Sequence, residues 1–307
     1  MRRFKKILFC PLGHKDNAAA LRRVAALADH NQANLAMFGA VAAPTRLQRL
    51  LHNAEFEQNL IEAEGAALHK RLTRYRTTTD QSDVETIVVV GDPAQSIVEQ
   101  VLLSHHDLVV VTTDQNDDHP GALKRLLRRC PCPVWVLRPT RARTQRILAA
   151  VNPDPTELDL NTTVLELAAS LAEVDACELH VVHAWELYGE TTMRHSAFLR
   201  IPPEEVDELR IKEGQHREAA LNELMQSTTI GDHRWKTHLL HGSPGVVIPN
   251  LVTKERINMI VMGTVGRSGI AGKVMGNTAE QILDHVRCSV IAVKPAEFIS
   301  PIPVPDQ

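Results

Sequence analysis

Aromatic side chains are scarce: six phenylalanines, three tryptophans and two tyrosines in 307 residues. The core must therefore be aliphatic, and the stacking platforms that single-stranded nucleic acid uses are missing. No apolar stretch approaches the ~20 residues of a membrane span. Basic runs are absent too, and the formal net charge is −3, so nucleic acid is not an expected partner. Met1-Arg2-Arg3-Phe4 leads into a charged strand rather than an apolar segment, so no signal peptide is expected and the expected location is cytoplasmic.

Metal and nucleophile motifs are equally thin. The five cysteines stand at 10, 130, 132, 177 and 288. Cys130-Pro131-Cys132 has one intervening residue rather than the two of the usual redox or zinc pair, and buried, reduced thiols are expected. His180 and His183 lie three apart in an apolar run, so on a strand they point to opposite faces and share no metal. No metal site is expected. His105-His106 is expected to be solvated. Ser268 with His183 or His285 lacks an ordering carboxylate, so no hydrolytic triad is expected.

What the chain does have is alternation. Lys6–Leu12, Leu35–Val41, Val84–Val90, Leu108–Val111 and Val134–Leu137 are short apolar runs that read as buried strands. Between them lie helical patterns: Asn17–His30, Thr45–Tyr75 with an interruption near Gly65, Ala94–Leu103 behind Gly91-Asp92-Pro93, and Leu123–Arg129. Continuous apolar strands alternating with helices argue for a doubly wound parallel α/β sheet.

The series then repeats. Arg146-Ile147-Leu148 matches Lys6-Ile7-Leu8, and Leu179–Ala184 matches the second strand. Glu204–Ser227 reads as a helix with Val206, Leu209, Ala220 and Leu224 on one side. His241-Gly242-Ser243-Pro244 matches Val90-Gly91-Asp92-Pro93, and Cys288–Pro295 matches Cys132–Pro139. A repeat of this length is an internal duplication. Ile7 and Ile147 are 140 positions apart, Gly91 and Gly242 are 151, and Cys132 and Cys288 are 156. The second copy is therefore longer by five residues between its fourth and fifth strands. Residues 1–139 and 145–295 read as two domains, 140–144 as a linker, and 296–307 as an extended, proline-rich tail.

The five extra residues fall in the most distinctive stretch. Gly263-Thr264-Val265-Gly266-Arg267-Ser268-Gly269 follows a strand, and Gly276-Asn277-Thr278 opens a helix. A glycine loop between strand and helix N-terminus is a cradle for an anion. The same place in the first copy, Thr112–Gly121, has one glycine and three aspartates, which would repel a phosphate. The loop is not a Walker A motif: five residues separate Gly266 from Gly272, and Val274 stands where a hydroxyl should follow Lys273. It is neither a dinucleotide fingerprint nor a nucleophile elbow.

The spacing Gly263-x2-Gly266-x9-Gly276, followed by polar residues, resembles the signature of the universal stress protein family. The duplication with a degenerate first copy is similar to the tandem, two-domain E-type members. That resemblance implies two tandem doubly wound domains of strand order 3-2-1-4-5. It implies that the fifth strands, Val134–Leu137 and Ser289–Val293, pair antiparallel, so that one chain forms a pseudo-dimer; a further homodimer stays open. It also implies a nucleotide site. Gly263, Gly266, Gly276 and Asn277, with Arg267, Ser268 and Thr278, would face the phosphates. Val151, Asn152 and Asp154 after strand one, Val182 in strand two and Met262 would face the adenosine. Asn277 stands where the family has Ser or Thr, and Asn152 where it has Asp. The expected function is a cytoplasmic stress protein that binds ATP or a related nucleotide without catalysis. Alternatives remain open here: a loop that only caps its helix, an apolar or acyl ligand lined by Phe198–Pro203, action through protein contacts alone, and weak ATPase activity.

Overall fold

A computed structural model describes residues 4–12, 17–44, 54–78, 84–113, 120–138, 145–228, 235–264 and 275–304. The chain divides into two compact units. The first is built on the first repeat and takes in the last strand of the second; the other holds the remainder of the second repeat.

In the first unit, β1 (Lys6–Pro11), β2 (Asn34–Val41), β3 (Glu85–Val90), β4 (Leu108–Thr112) and β5 (Val134–Leu137) lie in the order β3-β2-β1-β4-β5. All four pairings are parallel, with Ile7 beside Leu35, Leu8 beside Val109, Met37 beside Thr86 and Val110 beside Trp135. β4 and β5 are buried at every position, as strands covered on both faces should be. The strand β10 (Ser289–Val293) joins antiparallel to β5, with Ile291 opposite Trp135, the pairing that the family resemblance implied. Covering this edge strand removes a row of open backbone groups.

The helices α1 (Ala18–Asn31), α2 (Ala54–Thr78), α3 (Pro93–Ser104) and α4 (Pro120–Arg129) connect these strands. Leu21, Val24, Ala25 and Ala28 form the buried stripe of α1. Asp92 starts α3 by accepting the Gln95 amide N–H at 3.0 Å, with Pro93 in the first turn.

Two expectations fail here. α2 runs unbroken through Gly65, because one glycine costs a long helix only ~1 kcal/mol. A Cβ at Gly65 would meet no atom within 4 Å. Gly65→Ala should therefore raise stability by about 0.5–1 kcal/mol in denaturant unfolding. His106 is buried rather than solvated, with Nδ1 3.4 Å from the Gln100 carbonyl. Only its neighbour His105 is exposed, in the left-handed conformation (φ 55°) that ends α3.

In the second unit, β6 (Arg146–Ala150), β7 (Glu178–Trp185), β8 (Trp235–His241) and β9 (Met259–Gly263) run parallel in the order β9-β6-β7-β8. Its helices are α5 (Leu158–Val174), α6 (Glu190–His195), α7 (Pro203–Ser227), α8 (Pro244–Lys254) and α9 (Asn277–His285). On α7 the buried positions are Val206, Leu221 and Leu224. Leu209, expected inside, is 45% exposed, and Leu221 is buried where Ala220 was expected.

All five cysteines are free thiols; Cys10 and Cys130 are buried and the others half-buried. The tail packs rather than floats: Phe298 and Ile302 are buried while Ile299 and Val304 are exposed.

Candidate functional site

The predicted residues gather at the carboxyl ends of β6, β7 and β9. Here β6 is flanked by β7 and β9, and the register places Ala150, Val182 and Met262 at one level. The chain leaves β6 towards β7 on one side, and after β8 it returns to lay β9 on the other, a reversal of strand order that opens a crevice at the strand tips.

Val151 continues beyond β6. Its N–H donates to the Val182 carbonyl at 3.0 Å, and its own carbonyl accepts from His183 Nδ1 at 3.2 Å. Val151, Val182 and Met262 are all buried. Asn152, next in line, is clamped by Asn161. Its N–H donates to Asn161 Oδ1 at 3.0 Å, and its carbonyl accepts from Asn161 Nδ2. The same amide donates to the Glu157 carbonyl at 2.8 Å. Asn161 is thus a buried polar residue on α5 whose amide is spent fixing the chain at Asn152. The Asn152 side chain bonds the Glu157 carboxyl; burial pushes that carboxyl up and this hydrogen bond opposes it.

Asp154 does not reach across the crevice. Its carboxylate accepts from the Thr156 N–H at 3.0 Å and the Thr156 hydroxyl at 2.6 Å, capping the short turn Pro155–Glu157.

On the other side of the crevice, Gly263 ends β9. A Cβ there would stand 2.8 Å from Leu160 Cδ2, so any other residue at 263 would have to push the end of that side chain aside. Thr264 follows, only 1% exposed, and its carbonyl accepts the Gly276 N–H at 2.8 Å. That bond ties the two ends of the glycine loop together at the start of α9. Gly276 is the N-cap of α9, with φ −65° and ψ 144°, and has no side chain to cap with. Asn277 is then the first helical residue, not the cap, and it and Thr278 are exposed. Gly266, Arg267 and Ser268 lie outside the described residues.

Asn161, Thr264 and Leu160 were missed by the sequence reading. A trace of Asn161 was present, as a polar residue on the apolar face of a helix that also carries Leu160, Val164 and Leu165.

Elsewhere in the same sheet, His180 and His183 part to opposite faces as expected. His183 turns to Val151, while His180 stacks on His238 with ring centres 5.2 Å apart and nitrogens at 3.0 Å. Burial lowers the pKa of both stacked rings, so they sit neutral near pH 7. A shallow cleft of about 420 Å³ lies past the tips of β7 and β8, lined by Tyr188, Glu190, Thr192 and His241. Partial burial opposes the Glu190 charge, and hydrogen bonds from Arg194 and His241 outweigh it, holding the carboxyl below its usual range. Phe198 is 92% exposed and Leu199 is 45% exposed, so Phe198–Pro203 does not wall off an apolar cavity.

The model of the universal stress protein family matches residues 3–138 and again residues 143–294. The chain belongs to the universal stress protein family. Universal stress protein E of Escherichia coli strain K12 is 31% identical over 260 residues, covering 81% of this chain and 80% of that protein. Universal stress protein E of Photorhabdus laumondii is 28% identical over 94% of each chain. Among solved structures, a functionally unknown protein of Pseudomonas aeruginosa PAO1 shares the fold with a TM-score of 0.70 at 22% identity, over 96% of this chain and 94% of that one. A universal stress protein of Archaeoglobus fulgidus does so with a TM-score of 0.62 at 14% identity, over 96% and 98%. This is a tandem universal stress protein, similar in length and layout to the E-type relatives.

Proposed function

We propose that this universal stress protein binds an adenine nucleotide, with ATP as the first candidate, in its second unit, and that the nucleotide acts as a regulatory ligand rather than a substrate turned over. The observation that carries the reading is the bond from the Gly276 N–H to the Thr264 carbonyl at 2.8 Å. It holds the first turn of α9 at the tip of β9, beside the crevice flanked by Asn152 and Val182. Helix N-terminal N–H groups aimed at such a crevice favour a phosphate. The cytoplasm is the proposed site of action, and the role is protection or regulation under stress.

The test is thermal unfolding of the full chain with and without millimolar ATP. A ligand at 100 times its Kd stabilises by ~2.7 kcal/mol, which raises the melting temperature of a unit this size by several degrees. The φ of Gly276 is one that valine adopts without strain, so Gly276→Val should fold normally. Its side chain would fill the approach to the helix N–H groups and abolish the ATP-dependent rise. A native protein whose melting temperature ignores millimolar ATP would overturn the reading.

A further inference from the structure

The first unit holds a cluster that nucleotide binding does not use. Cys130 and Cys132 flank Pro131 at the turn from α4 into β5, and their sulfurs lie 3.6 Å apart. Cys130 is fully buried, whereas Cys132 is half-buried as a residue and is the nearer of the two to solvent. The β10 pairing puts Ala292 opposite Val134, and carried two residues further it puts Lys294 opposite Cys132. Lys294 is 8% exposed, and its Nζ has no hydrogen-bond partner among the described residues. A buried ammonium with no hydrogen-bond acceptor, only the Phe298 ring 4.6 Å from Nζ, is costly, which makes this lysine a second, independent mark of a site. It lies within electrostatic reach of Cys130.

We propose that Cys130 and Cys132 form a disulfide switch driven by hydroperoxides, with Lys294 as the base that receives the thiol proton. The sulfurs need to close from 3.6 Å to the ~2.05 Å of a disulfide. Cys132 is the sulfur that meets the oxidant. Lys294 takes the Cys132 proton, the thiolate attacks one peroxide oxygen, the O–O bond breaks, and the other oxygen takes that proton back from Lys294 and leaves as water. Cys132 is now a sulfenic acid, oxidised by two electrons as the peroxide is reduced. Cys130 gives up its proton and attacks the Cys132 sulfur. The S–O bond breaks, the S–S bond forms, and a second water departs. Two thiols and one hydrogen peroxide become one disulfide and two waters.

The resting pair is quiet. The hydrogen bond to Cys130, then burial, push the Cys132 thiol well up, so a base nearby is needed to generate thiolate. Burial brings the Lys294 amine down to about 8, so part of it is neutral and able to accept a proton near physiological pH. The second repeat supplies a control within the same chain. It keeps Cys288 where the first has Cys132, but has Val286 in place of Cys130. Cys288 can be oxidised but has no thiol two residues before it to resolve it.

The experiment treats the full-length protein with hydrogen peroxide, alkylates free thiols, and maps tryptic peptides by mass. The peptide that begins at Cys130 should lose two hydrogens and escape alkylation, while Cys288 is alkylated or carries oxygen. In Cys130→Ser, Cys132 should instead accumulate oxygen or a sulfenic-acid trap adduct. Lys294→Met, which replaces the buried amine with an apolar chain of similar shape, should keep the fold and slow disulfide formation ~10-fold or more. Cys130 and Cys132 remaining alkylatable under peroxide that oxidises Cys288 would overturn the switch. An unchanged rate in a folded Lys294→Met protein would overturn the role of the lysine.

Discussion

Replacing Lys294 with methionine should stabilise the first unit by about 2–3 kcal/mol at pH 7. Burial lowers the Lys294 ammonium from 10.5 to about 8, with Cys130 pulling weakly the other way. Each unit of such a shift is worth ~1.4 kcal/mol between the two protonation states, so the charged form carries a penalty of ~3 kcal/mol in the folded chain. The Phe298 ring, 4.6 Å from Nζ, returns ~0.5–1 kcal/mol of it through its π face. Between pH 8 and 10.5 the unfolded chain still holds a proton that the folded chain has released. Stability of the parent protein therefore rises with pH across that window, and that of Lys294→Met does not. The gap between the two proteins is widest at pH 8 and below and closes towards 10.5. Denaturant unfolding at pH 7 and pH 10, followed by circular dichroism, reads both effects. A methionine variant less stable than its parent at pH 7, or a gap unchanged at pH 10, would sink the argument.

Nothing in the sequence singled out Lys294. It aligns with Arg138 in the duplication, and both read as basic residues closing a strand. The difference is tertiary: Arg138 is half-buried, its N–H bonded to the Ser289 hydroxyl at 3.0 Å, while Lys294 is folded in beside Phe298 from a tail that local pattern could only describe as extended. The strands, by contrast, were legible almost to the residue. Runs such as Leu108–Thr112 are short, valine-rich and apolar at nearly consecutive positions, and a run of that length and β-branching fits a strand buried on both faces. Helix interiors were less legible. The pattern of α7 gave Leu209 an inward place that it does not occupy, because a helix of 25 residues outruns the sheet it covers and part of its apolar face stays in water.

The candidate site divides the same way. Its glycines and strand tips were readable, because spacing reports backbone geometry: Gly263 sits where a Cβ would press on Leu160, and Gly276 opens a helix. Its polar anchors were not readable, since what a side chain bonds depends on what folds against it. Asp154 was read as facing a ligand, and in the structure one of its carboxylate oxygens also caps a turn through Thr156. Asn152 looked like a direct substitute for a ribose partner, yet its backbone is held by Asn161 and its side chain is shared with Glu157. The scaffold of the cradle follows from sequence alone, and the distribution of hydrogen bonds within it does not.

Trp135→Ala should destabilise the first unit by about 3–5 kcal/mol, as expected when a large buried ring is deleted. Trp135 is 1% exposed and is the largest fully buried side chain in the described chain. It sits mid-strand in β5, beside Val110 of β4 and opposite Ile291 of β10. The cavity left by alanine would open on the line where strands of the two repeats pair, and Arg23, 5.1 Å above the ring, would lose its partner. Trp135→Phe should cost far less, about 1.5 kcal/mol or under. The Trp135 Nε1 is buried with no hydrogen-bond partner among the described residues, and its removal recovers part of a desolvation penalty of ~1–3 kcal/mol. Phenylalanine also keeps a π face for Arg23. Denaturant unfolding followed by circular dichroism compares the three proteins. Equal losses in the alanine and phenylalanine variants would mean that the indole N–H finds a partner after all, and that the ring is held there by polarity as well as by packing.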